Sequence, residues 1–208
     1  MINLDEIEYF SMKDTLKNLS RNAASYMTES DIMAISFDKA KEEYAKRYHL
    51  KVMPTSNDAL FQVKGRIFFV EFKDGNIGYE LQKNRKFRLD DIERKIYDSL
   101  FLFCDIANQH ISDTRQYMTY ILVYNHERNK AHIQDCFAKT SLETDETQYS
   151  SSYEKIVKYV GQYASTENPD LFGLRKRVSA LYFSALRVYD KEEFSEFLED
   201  LEKLRDKT

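Results

Sequence analysis

The chain is poor in residues that interrupt regular structure: two Pro and five Gly in 208 residues. That scarcity excludes a collagen-like, linker-rich or disordered polypeptide. Only two cysteines occur, Cys104 in a predicted helix and Cys136 near a predicted strand end, so no disulfide framework is expected. Tryptophan is absent, and the bulk of a core comes instead from 14 Phe and 15 Tyr. Long apolar runs are also missing. The longest, Leu100–Cys104 and Tyr120–Tyr124, are five residues each, whereas a membrane crossing needs about 20. The opening segment Met1–Glu6 has neither a basic cluster nor an apolar stretch of secretory type. A cytoplasmic chain with no membrane partner is therefore expected. Net charge is −4, which argues against coating nucleic acid by bulk electrostatics but permits a cleft with local positive potential.

Hydrophobic periodicity divides what is present into an α/β core with helical additions. Residues 1–34 are predicted to be a helical extension, from Leu4, Ile7, Leu16 and Leu19. Residues 35–137 form the core. Its first helix spans Ser36 to Tyr48, with Ser36 as N-cap. Leu50–Met53 is a short strand candidate. Ala59–Lys64 and Arg66–Lys73 alternate as strands joined in a tight hairpin at Gly65. A polar, basic connection over residues 77–88 leads to a long helix, capped by Asp90 and running to about His110. Its stripe is Leu89, Ile92, Ile96, Leu100, Phe103 and Ala107. Tyr117–Tyr124 is a buried, central strand, and Ala131–Phe137 is a candidate for another. Residues 138–152 are a polar linker. Residues 153–208 are a helical region, with helices at about 153–164, 170–188 and 191–205.

Chemistry concentrates on the hairpin. Residues two apart on a strand share a face, so Glu71 and Lys73 project together beside Ile67 and Phe69. Phe68, Val70 and Phe72 face the other way. Charges at the end of so apolar a strand are costly unless they are paired or hold a metal. Folding at Gly65 brings Asp58 beside Glu71, and a divalent cation with oxygen preference relieves the repulsion between them.

Asp58, a spacing of thirteen residues, and then Glu71-Phe72-Lys73 on an apolar strand resembles the PD-(D/E)XK nuclease superfamily. The resemblance covers about residues 35–125. It implies a restriction-endonuclease-like core of helix, three-stranded meander, helix and strand. It further implies Asp58 and Glu71 as ligands of Mg²⁺ or Mn²⁺, with the Phe72 carbonyl as an additional ligand, and Lys73 as the catalytic lysine. A glutamate on the first helix matches best at Glu43, as a third ligand. The helix after the lysine offers Lys95 or Ser99 as a polar contributor. Pro54 stands four residues before Asp58 rather than next to it, a departure from the family pattern.

The run Lys83-Asn84-Arg85-Lys86-Phe87-Arg88 packs four cations and an aromatic into six residues. Lys83, Arg85, Lys86 and Arg88, with Lys95, are the expected substrate contacts along a phosphate backbone. The bland alternative is a solvated loop balanced by Asp90, Asp91 and Glu93. His110, His126, His132 and Cys136 match no standard zinc spacing. Neither a glycine-rich phosphate loop nor a Gly-x-Ser-x-Gly elbow is present. The expected function is metal-dependent hydrolysis of nucleic-acid phosphodiesters, DNA before RNA, with a homodimer or protein partner helping to grip the substrate. The alternative is a catalytically silent nuclease-fold interaction module in a phage-defence or mobile-element complex.

Overall fold

Lys64 and Gly65, with φ of 47° and 78°, turn the chain between β5 (Ala59–Val63) and β6 (Arg66–Lys73). Two successive left-handed residues give a turn whose twist suits an antiparallel pair, and Gly65 adopts its conformation without a Cβ clash. In a computed structural model, the described residues are 2–22, 25–77, 89–143, 172, 174, 178 and 181–206, side chains excepted at 89–90, 135–143 and 206.

The hairpin is the middle of a six-stranded mixed sheet. In chain order the elements are β1 (Lys13–Thr15), α1 (Leu16–Leu19), the small pair β2 (Arg21–Asn22) and β3 (Ser25–Tyr26), β4 (Met33–Ser36) and α2 (Phe37–Arg47). After β5 and β6 come α3 (Leu89–Ile106), α4 (Ile111–Tyr117), β7 (Met118–Tyr124), α5 (His126–Glu143), β8 (Ala185–Tyr189) and α6 (Lys191–Asp206). The sheet order is β1-β4-β5-β6-β7-β8. Pairing is antiparallel from β1 to β6 and parallel from β6 to β8. A parallel β6–β7 pair requires a crossover, and α3 lies on it.

Both faces of the sheet are covered, which explains why all seven residues of β7 are buried. On one face Leu60, Ile67, Phe69, Tyr120 and Leu122 pack with Phe37 and Ala40 of α2 and with Ile92, Ile96, Leu100 and Phe103 of α3. Phe69 meets Phe37 and Phe103 edge-on, with ring centroids 4.9 and 5.8 Å apart. On the other face Phe61, Phe68, Val70, Ile121 and Val123 pack with Leu16 and with Phe194 and Leu198 of α6. No described helix is long and apolar enough to cross a membrane.

Several expectations are corrected. Among the described residues, the first 30 form single turns and short strands rather than the expected helical segment: Thr15 caps α1 through the Asn18 amide, and the helix ends after one turn at Ser20. Leu50–Met53 is no strand: Leu50, Val52 and Met53 are exposed, and β4 supplies the missing meander strand before α2. Ser36 precedes α2, yet its side chain makes no capping bond. Ala131–Phe137 lies within α5, which continues to Glu143 and so through the first part of the expected linker. The expected helix over 170–188 ends in β8, where Leu186 and Val188 are buried with period two. The core sheet thus recruits β1, β4 and β8 from outside or at the border of residues 35–137. Helix 153–164, residues 144–152 of the linker and the side chains of Leu89, Asp90 and Cys136 lie outside the description.

Candidate functional site

The site is assembled by strand register. Ala59 pairs with Val70, and continuing by one residue sets Asp58 opposite Glu71. The Asp58 amide donates to the Val70 carbonyl at 3.1 Å, and the Phe72 amide donates to Asp58 Oδ2 at 2.7 Å. Asp58 therefore stands on the face of β6 that carries Glu71 and Lys73, beneath α3.

The loop leading to Asp58 is clamped to both covering helices. The amide and hydroxyl of Thr55 each donate to Asp98 Oδ2 at 2.8 Å. The Asn57 amide donates to Ser99 Oγ at 2.8 Å. Ser56 donates its hydroxyl proton to Asp38 Oδ1 at 2.5 Å, in the first turn of α2. A site supported by rigid elements on three sides keeps its carboxylates in place.

Two ammonium groups converge on one oxygen. Lys73 Nζ lies 2.9 Å from Glu71 Oε1, and Lys95 Nζ lies 2.7 Å from the same atom. Lys95 Nζ is also 3.7 Å from Asp58 Oδ1. The Glu71 side chain has no exposed surface, whereas Lys73, Lys95 and Asp58 keep 32%, 25% and 20% of theirs. The pair therefore opens to solvent on the lysine side.

Burial, together with the nearby Glu71 charge, pushes the Asp58 carboxyl up to about 7, against the pull of Lys95, the Phe72 amide and Lys73. Burial disfavours the Lys95 ammonium, but Glu71 and Asp58 more than offset this and hold it above its ordinary value. Burial likewise opposes the Asp38 charge, while Lys41, Ser56 and Lys95 together keep its carboxyl below the usual range. Several buried polar side-chain atoms of the described residues have no hydrogen-bond partner, and around the acid pair these are Glu71 Oε2, Tyr120 Oη and the side-chain oxygen and nitrogen of Asn57. Burial and then the charges of Glu71 and Asp58 raise the Tyr120 hydroxyl well above its normal value.

Of the residues expected from the sequence, Asp58, Glu71 and Lys73 come together. Lys95, expected as a substrate contact, lies between the two carboxylates. Glu43 is exposed on α2, and no group of three His, Cys, Asp or Glu side chains able to hold a metal occurs among the described residues. The third ligand expected at Glu43 is therefore not brought to the pair. Asp38, one turn earlier on α2, was not singled out from the sequence; its signal was its place just after Ser36 in the first turn. Asn57 and Tyr120 had no sequence signal beyond lying in the right segments. Lys83, Arg85, Lys86 and Arg88 lie outside the described residues.

Glu71 Oε2 is the kind of buried, orphaned acceptor that a cation or a water would satisfy. Two carboxylates are also a donor set that suits Mg²⁺, which keeps several of its waters. The residues present thus fit a hard divalent cation. Comparison of the chain with protein-family models, with curated proteins and with solved structures finds no match.

Proposed function

We propose that the protein is a Mg²⁺- or Mn²⁺-dependent nuclease acting on nucleic-acid phosphodiesters, DNA before RNA, through Asp58, Glu71 and Lys73. The observation that carries this reading is the arrangement around one cation position. Glu71 Oε1 and Asp58 Oδ1 lie 2.7 and 3.7 Å from a single ammonium nitrogen, with Lys73 2.9 Å from the same glutamate oxygen. The antiparallel strands β4, β5 and β6, followed by α3 and the parallel β7, support a restriction-endonuclease-like core.

A divalent ion held by Asp58 and Glu71 would supply Lewis-acid polarisation of a phosphate oxygen. The protein's own contribution is positional and electrostatic. The Phe72 amide aims Asp58, and the lysines fix the Glu71 carboxylate in its buried slot. Lys73, partly open to solvent, offsets negative charge that grows on the phosphate as it reacts.

A second reading is a catalytically silent nuclease-fold interaction module. The place of Lys95 favours it, since an ammonium between the two acids already offsets part of their charge. Labelled single-stranded DNA, duplex DNA and RNA, each with Mg²⁺, Mn²⁺ or chelator, separate the two. Metal-dependent cleavage that chelator abolishes supports the nuclease. Absence of cleavage with either metal, alongside retained binding to a nucleic acid or protein, supports the silent module.

A further inference from the structure

We infer that Lys95 is a built-in occupant of the cation position, which excludes a divalent ion until its ammonium swings outward to Asp38. This inference rests on the reading of Asp58 and Glu71 as metal ligands and adds a residue that controls access to them.

The geometry requires competition. Lys95 Nζ is within hydrogen-bonding distance of Glu71 Oε1 and 3.7 Å from Asp58 Oδ1, so it stands where an ion shared by the two carboxylates would sit. An ammonium and a divalent cation cannot share that position: like charges at such separations repel strongly in a partly desolvated site. Lys73 does not compete in the same way, because among the described residues its carboxylate contact is with Glu71 Oε1, at 2.9 Å, and not with Asp58.

Movement must come from the side chain alone. The helix bearing Lys95 is tied to the Asp58 loop at both Asp98 and Ser99, so its backbone is held. The lysine stem is flexible, with rotatable bonds between Cα and Nζ, and a quarter of the side chain reaches solvent. Asp38 provides an outer acidic station. It is half-exposed at 52%, it is bonded to Ser56 in the loop before Asp58, and its charge and that of Lys95 already influence one another. Lys41 already lies 2.8 Å from Asp38 Oδ1, so Lys95 would share that station with it.

The test is a Mn²⁺ titration of the full chain, followed by the paramagnetic resonance of the free ion. Lys95→Gln should bind Mn²⁺ at least tenfold more tightly than wild type. Lys95→Met should do the same, which covers the case in which one variant folds poorly. Asp38→Asn should weaken binding severalfold in the wild-type background and have no effect when Lys95 is already Gln, the non-additivity expected if Asp38 acts through Lys95. Equal or weaker binding by both Lys95 variants would overturn the inference while leaving the metal site itself intact. An Asp38→Asn effect of the same size in both backgrounds would overturn the outer station. If neither wild type nor any variant retains Mn²⁺, the metal reading and the inference fail together. Tight binding by Lys95→Gln, in a protein whose wild type cleaves nothing, supports the inference.

Discussion

The Phe72 amide donates a 2.7 Å hydrogen bond to Asp58 Oδ2, so the strand that carries Glu71 and Lys73 itself orients the opposing acid. This bond favours the ionised carboxylate, yet burial and Glu71 outweigh it and raise the Asp58 carboxyl from 3.8 to about 7. Between those values the folded chain binds more protons at this position than the unfolded chain does. Asp58 therefore contributes stability to the metal-free protein at low pH, and that contribution is lost as pH rises toward 7. Thermal unfolding in chelator should show Asp58→Asn gaining on wild type as pH rises from about 4 to 7. A constant difference across that window would show that the carboxyl is not raised.

On the proposed nuclease reading, Lys73 serves the reaction more than the fold. Lys73→Ala should lower turnover by about 10²-fold, the scale of removing one preorganised donor, with little change in melting temperature. Glu71→Gln is isosteric but removes charge, so its activity should also fall, and excess Mn²⁺ should restore part of it. Cleavage by both variants at wild-type rate would assign the activity to another site.

Phe69 joins the layers that frame the site. It is fully buried and touches rings from both α2 and α3. Phe69→Ala should cost about 3–5 kcal/mol in denaturant unfolding, from lost transfer energy plus the cavity left behind. A cost below about 1 kcal/mol would mean that the two helices are not packed through this ring.

The hairpin turn offers a gain rather than a loss. Lys64 adopts a left-handed φ of 47° that a lysine disfavours and an asparagine tolerates. Lys64→Asn, giving Asn-Gly in a two-residue turn, should stabilise the protein by about 0.5–1 kcal/mol. Destabilisation by the same substitution would show that Lys64 serves another purpose.

The sequence by itself determined the hairpin, the first helix, the long helix after it, the central strand and the last helix. In each of these the signal is local: short apolar runs in Arg66–Lys73 and Tyr117–Tyr124, buried on both faces, and period 3.6 in Ile92, Ile96, Leu100 and Phe103. It also determined that Glu71 and Lys73 share a face, since that follows from strand geometry alone. The segment Leu50–Met53 reads as a strand because it is apolar, but it lies exposed beside no partner strand, and pairing is a long-range property that composition does not encode. For the same reason the short edge strand β1, and β4 beside it, were not apparent, while the alternation in β8 was masked by neighbouring helical patterns. Only the tertiary structure decided the occupants of the site. Lys95 and Asp38 come from helices on either side of the hairpin in sequence. Lys95 reaches the acid pair, and Asp38 the loop before Asp58, because two helices pack on one sheet face and are pinned there by Thr55, Ser56 and Asn57. Which polar side chain a packed helix directs at a buried carboxylate depends on its rotation and depth on the sheet, and these are set by the whole core rather than by any segment.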